Sequence, residues 1–247
     1  IINLRSFGED PARVAVLVAA FVEGARAGGV LTTAKHFPGH GDTAVDSHLA
    51  LPIVRRDRAG LERTELAPFR AAIAAGVDSV MVGHLALPAL DASQAPATLS
   101  PAITTGLLRD ELGFAGLVVT DAMDMSGVGG VWMGEAAVRS VLAGADVVLL
   151  PPDPRVAIQA IVRAVDEGRI PQRRIDEAVG RILAAKERLG LASDRSVDRA
   201  RLRRNVGRPE DAERADEIAR RAITLVRNAG AILPLHPEEP LRLLHLV

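Results

Sequence analysis

The sequence contains no cysteine. That excludes disulfides, thiolate metal sites and a cysteine nucleophile, but a thiol-free chain suits cytosol and exterior alike, so the compartment stays open. A basic surplus is also missing. Thirty Lys and Arg stand against 31 Asp and Glu, a formal net charge of −1, which leaves no electrostatic footprint for nucleic acid or an anionic membrane. No charge-free apolar run reaches the roughly 18 residues needed to span a bilayer. The chain opens with Ile1 rather than Met, with no charged segment leading into an apolar stretch; it therefore reads as an excerpt, with any targeting signal upstream. The single tryptophan, Trp132, suits core packing or a loop contact as well as stacking on a ligand.

What is present describes a globular protein: 247 residues, 48% hydrophobic and 25% charged, enough for one large core. Four apolar runs read as buried parallel strands: Val30 to His36, Val77 to His84, Leu117 to Asp121 and Asp146 to Leu150. Amphipathic segments lie between them. Asp10 and Pro11 cap a helix running through Val14 to Ala27 and closed by Gly28 and Gly29; a second helix spans Leu61 to Ala75. A third follows Ser100 and Pro101 to about Leu112, and a fourth covers Glu135 to Leu142. Strand, helix, strand in this order makes a repeated βα unit, hence an α/β parallel architecture. After Leu150 the pattern changes to helices at Arg155 to Glu167 and Ile175 to Leu189, an Arg- and Asp-rich linker from Ala192 to Arg208, and a helix from Asp211 to Arg221. A new domain is expected to begin there, with a further apolar run from Leu241 to Val247.

Polar residues gather at the C-terminal ends of the strands, where parallel α/β proteins place their sites. The first strand runs into Pro38-Gly-His-Gly-Asp-Thr43, and Lys35, His36, His40, Asp42, Asp46 and His48 fall within fourteen residues. A metal site built from His36, His40 and His84 is one reading, but Pro38 and Gly39 break the helix that would put the first two imidazoles on one face. Asp121 ends the third strand. A carboxylate there is costly unless paired or functional, although a helix cap or loop hydrogen bond is an ordinary use for it. Asp124 and Met125 suit turn and packing roles, and His40 and Asp42 suit hydrogen bonds that shape their loop.

Three motifs then stand in order: Arg5-Ser-Phe-Gly-Glu-Asp-Pro11, Lys35-His-Phe-Pro-Gly-His-Gly-Asp-Thr43 with Asp46-Ser-His48, and Val119-Thr-Asp-Ala-Met-Asp-Met125. Together they resemble glycoside hydrolase family 3, in particular its β-N-acetylglucosaminidase branch, over about residues 1 to 190. The resemblance implies the second half of a (β/α)8 TIM-type barrel over 1–190, a linker over 191–210, and the truncated start of a C-terminal α/β sandwich domain over 211–247. It implies a retaining exo-acting enzyme that removes terminal GlcNAc from peptidoglycan fragments or chitooligosaccharides. In that reading Asp121 is the nucleophile, Arg5, Lys35 and His36 bind the terminal sugar, and His48, held by Asp46 in a mobile loop, replaces the usual carboxylic acid/base. His84 either lines the pocket or packs behind it. No cofactor and no metal are expected, the partner is a carbohydrate, and the oligomeric state stays open. The general chemistry agrees, since a histidine can protonate a leaving oxygen and then activate water while a carboxylate orients its ring. A β-glucosidase or a phosphorolytic relative remains the alternative within the family. A metal-dependent barrel hydrolase or an inactive fragment is the alternative outside it, and the earlier strands' sugar contacts are absent from this chain.

Overall fold

The computed structural model describes residues 5–43, 45–47, 49–128, 131–230 and 233–235. It separates into two units, 1–193 and 194–247.

The first unit is built on a parallel sheet of three strands, β1 (Thr33–Phe37), β2 (Ser79–Val82) and β3 (Leu117–Thr120), in that order. Helix α1 (Pro11–Ala27) precedes β1; its cap is Asp10, whose carboxylate accepts from the backbone N–H groups of Ala12 and Arg13, with Pro11 in the first turn. Helices α2 (Arg58–Arg63) and α3 (Leu66–Ala74) cross from β1 to β2, and a π-helix, Ala102–Glu111, crosses from β2 to β3. Strands with crossover helices in one parallel sheet form an arc of a (β/α)8-type barrel. Helices α4 (Met133–Ala143), α5 (Pro154–Asp166) and α6 (Gln172–Arg188) follow.

Apolar residues from both layers make the main core. Phe37, Val80, Val82 and Val118 from the strands meet Leu61, Leu66, Phe69, Ile103 and Leu108 from the helices. Phe37 and Phe69 pack edge to face, with centroids 5.1 Å apart and planes at 88°. Arg26 in the last turn of α1 donates to the carbonyls of Ala75 and Gly76, satisfying the end of α3.

Two expected elements differ. The helix read over Leu61 to Ala75 breaks in two, with Thr64 and Glu65 as a turn between α2 and α3 and the Glu65 side chain beneath Gly39. The strand read over Asp146 to Leu150 pairs with β3 through a single bridge, Val119 to Val147. Backbone bonds persist, as from Thr120 N–H to the Val147 carbonyl and from Val147 N–H to the Val118 carbonyl, but side chains have taken over part of the ladder. Asp146 Oδ2 accepts the N–H of Val118, and Thr120 Oγ1 accepts the N–H of Leu149, two groups a regular strand pair would have joined through carbonyls.

At the N-terminal ends of the strands lies a buried charge cluster that the sequence reading missed. The Asp146 side chain is completely buried; Oδ2 accepts from Arg109 Nη2 at 2.7 Å, and Oδ1 from Arg174 Nη2 at 2.8 Å and Arg181 Nη1 at 3.0 Å. Asp78, just before β2, is held in the same way by Arg188 at 2.5 Å and by the backbone N–H of Thr32 at 2.7 Å. Arg174, Arg181 and Arg188 recur every seventh residue along α6, which keeps them on one face of the helix.

In the second unit the described residues form α7 (Arg199–Asn205), inside the stretch read as a linker, and α8 (Pro209–Ala222). The apolar run from Leu241 to Val247 lies outside the described residues. Among the described residues, no helix is long and apolar enough to cross a membrane.

Asp146→Ala should therefore unfold the first unit far more easily than an ordinary surface change. Stranding three guanidinium groups around a vacated buried site is expected to cost about 3–5 kcal/mol, read as a drop in the denaturation midpoint. A loss below about 1 kcal/mol would show that the cluster is not a determinant of stability.

Candidate active site

The chain's chemistry collects at the C-terminal ends of β1 and β3 and in the loop after β1. Arg5, Lys35, His36, His40, Asp46, Ser47 and Asp121 line one cavity of about 130 Å³. Five of the sequence candidates, Arg5, Lys35, His36, Asp46 and Asp121, thus share a single space. His48 lies outside the described residues.

Asp121 is placed by the strand before it. Its backbone N–H donates to the carbonyl of Val82, continuing the β2–β3 pairing by one residue, and its Oδ1 accepts the N–H of Ala122 at 2.9 Å. Its other oxygen faces His36 Nε2 at 3.9 Å, close enough for electrostatic attraction and too far for a hydrogen bond. Both side chains are nearly buried. Burial is the main cause that pushes the His36 imidazole down to about 4; the Asp121 carboxylate opposes it, and Lys35, His40 and Arg5 reinforce it. At neutral pH His36 is therefore an uncharged hydrogen-bonding group beside an acidic one.

His40 has a different job. It is 5% exposed, and burial lowers its pKa as well. Nδ1 lies 2.5 Å from Thr43 Oγ1 and Nε2 lies 3.1 Å from Ser47 Oγ. The loop-shaping role expected for it matches these partners. Asp42, expected to act likewise, accepts from Arg56 Nη2 at 2.5 Å, and Arg56 Nε lies 3.0 Å from Glu65 Oε1. Glu65 sits directly under the loop: a Cβ on Gly39, whose φ is +138°, would come within 2.5 Å of Glu65 Cγ, so both the conformation and the space demand glycine. Burial raises the Glu65 pKa, with Arg56 pulling it down. Neither Glu65 nor Arg56 was found in the sequence, where eight intervening residues hide their pairing.

Of the two places left open for His84, the structure has it behind the pocket. It is wholly buried and is not part of the cavity wall. Nε2 lies 2.9 Å from the carbonyl of Ala122, so it carries the proton, and Nδ1 lies 2.8 Å from Thr98 Oγ1, whose hydroxyl donates to it. The ring braces the backbone next to Asp121 from behind. This also weakens the metal reading, because His40 and His84 commit both ring nitrogens to hydrogen bonds. Among the described residues no three His, Cys, Asp or Glu side chains converge as a ligand set.

A family model, that of the glycosyl hydrolase family 3 N terminal domain, matches residues 1–185. The chain belongs to this family. It is 35% identical over 272 residues to a curated relative, beta-hexosaminidase A of Pseudoalteromonas piscicida, covering 100% of this chain and 44% of that protein. Among solved structures, a glycoside hydrolase family 3 beta-N-acetylglucosaminidase from Paenibacillus sp. str. FPU-7 superposes with a TM-score of 0.86 at 43% identity, covering 93% of this chain and 44% of the other. Beta-glucoside phosphorylase BglX superposes with a TM-score of 0.90 at 32% identity, covering 96% and 45%. The chain thus spans a little under half the length of these relatives.

The depressed His36 pKa has a measurable consequence. Between pH 6.5 and about 4 the unfolded chain binds a proton at this histidine that the folded chain refuses, so stability falls as pH drops through that window. His36→Asn should flatten the decline of melting temperature between pH 7 and pH 5, leaving the part due to His40, which is shifted in the same direction. An unchanged slope would mean that His36 is not held neutral.

Proposed function

We propose that the full-length protein is a retaining exo-β-N-acetylglucosaminidase that removes terminal GlcNAc from peptidoglycan fragments or chitooligosaccharides. The observation that carries this reading is the shared cavity, in which the strand-tip carboxylate of Asp121 faces a neutral His36 beside Lys35, Arg5 and Asp46. Asp121 attacks the anomeric carbon and the glycosidic oxygen departs as a glycosyl-enzyme ester forms. His36, Lys35 and Arg5 hold the hydroxyl groups of the terminal sugar, neutral and cationic donors that leave the nucleophile as the negative group between them. The acid/base role falls to His48 by its place in the Asp46-Ser47-His48 motif, with Asp46 orienting its ring. It protonates the leaving oxygen in the first step and takes a proton from water in the second. The likeness to a phosphorylase supports a second reading in which phosphate replaces water as the acceptor, since a neutral histidine repels an incoming anion less than a carboxylate does.

The full-length protein should cleave aryl β-N-acetylglucosaminides well ahead of aryl β-glucosides; equal or reversed rates would move it to the glucosidase branch. Phosphate-dependent release of a sugar 1-phosphate would favour the phosphorolytic reading. A 5-fluoro glycosyl donor should label the peptide that contains Asp121, and a label on Asp124 or an inverted product would remove Asp121 from its role. His48→Ala should spare substrates with acidic phenol leaving groups and lose on the order of a hundredfold or more with sugar alcohols, which need protonation to depart. Uniform loss over both would assign His48 to binding or folding.

A further inference from the structure

Ser47 lies between the two residues of the proposed acid/base pair, and the structure treats it unlike its neighbours. It is 2% exposed in a loop whose flanking Val45 and Leu49 face solvent. Its hydroxyl meets His40 Nε2 at 3.1 Å, and its carbonyl accepts the N–H of Gly127 at 3.0 Å. The loop after β1 is thereby tied on one side to the Pro38–Thr43 turn and on the other to the loop after β3.

The direction of each proton follows from the partners. Thr43 Oγ1 donates to the carbonyl of His40 at 2.9 Å, so its one proton is committed and it can only accept from His40 Nδ1–H. A neutral His40 with its proton on Nδ1 has a bare Nε2, and Ser47 O–H fills it. Burial lowers the His40 pKa and favours this uncharged form. The second tie needs a residue without a side chain, since a Cβ on Gly127 would lie 2.8 Å from both the Ser47 carbonyl oxygen and His84 Cβ. From the fixed Ser47, the carbonyl of Asp46 accepts the N–H groups of Leu49 and Ala50, and Asp46 lines the cavity with Asp121.

We infer that Ser47 is a positioning residue: clipped to His40 by its hydroxyl and to Gly127 by its carbonyl, it holds Asp46 at the cavity in register with Asp121. It touches no reacting atom. Its effect passes through the acid/base half of the reaction, and to that extent the inference rests on the function proposed above. The nucleophile is placed separately, by β3 and its backbone N–H to the Val82 carbonyl, and the Ser47 hydroxyl bonds to His40 instead.

The experiment compares wild type and Ser47→Ala in the full-length protein, by kinetics on an activated and a poorly activated β-N-acetylglucosaminide and by hydrogen exchange of the peptide covering 45–50. A loosened acid/base should cost about tenfold or more in kcat with the poor leaving group and under about threefold with the activated one, at an unchanged melting temperature. Exchange at Leu49 and Ala50 should accelerate while β1 to β3 stay protected. Equal losses on both substrates, undiminished activity, or unaltered exchange would each overturn the inference. Should the wild type cleave neither substrate, the function proposed above fails and the exchange result alone decides the clip. If Ser47→Ala does not fold, Ser47→Cys, whose S–H is a weaker donor to His40 Nε2, is read by the same measurements and the same outcomes.

Discussion

One buried carboxylate organises the first unit. Asp146 collects guanidinium groups from the π-helix and from two positions on α6, and in the same place accepts a backbone N–H from β3. A charge taken wholly out of water is tolerated when its oxygens are satisfied and its counter-charges are close, and here both oxygens are doubly engaged. The consequence is geometric. Three elements far apart in sequence must arrive at one point, so the start of the last extended segment, the pitch of the π-helix and the rotation of α6 are fixed together.

That anchor and the chemistry occupy opposite ends of the same strands. Asp78 and Asp146 close the N-terminal ends with arginines, while Lys35, His36 and Asp121 open from the C-terminal ends. The two groups of aspartates look alike in sequence and differ in what faces them. Asp146 meets three arginines and is shut off from solvent, whereas Asp121 receives one backbone N–H and a histidine too distant for a hydrogen bond. On the function proposed above that difference matters, because a carboxylate ringed by guanidinium groups is a poor nucleophile.

The alternation of apolar runs and capped helices made the βα units legible, because strand burial and cap chemistry are local. Asp10 and Pro11 start α1 as read, and the three strands lie within or beside the apolar runs that marked them. The fourth run misled for a local reason too: its pattern is that of a strand, but Asp146 and Thr120 spend side chains on the backbone bonds that would have completed the ladder. At the site, motif density brought out Arg5, Lys35, His36, Asp46 and Asp121, all of which line one cavity. His84 was harder, since nothing in Val82-Gly83-His84 reveals that Thr98 and the Ala122 carbonyl will occupy both of its nitrogens. Glu65 and Arg56 were invisible because their meaning lies in a turn that folds over them from another part of the chain. The arginines of α6 did carry a signal, a repeat of seven, that only becomes interpretable once their two aspartate partners are known.

The π-helix from Ala102 to Glu111 links these observations to how such a chain can change. Its hydrogen bonds reach one residue further than those of an α-helix, as in Leu112 N–H to the Leu107 carbonyl. Within it Thr104 and Thr105 donate to the carbonyls of Ala97 and Ala143 on either side, and Arg109 reaches Asp146. The wide coil thus works as a phase setter. Losing one residue before Arg109 would turn everything beyond the deletion by a large part of a turn about the axis, swinging Arg109 out of the buried cluster around Asp146. The count of residues between Thr104 and Arg109 is therefore as much a part of the anchor as the arginine itself.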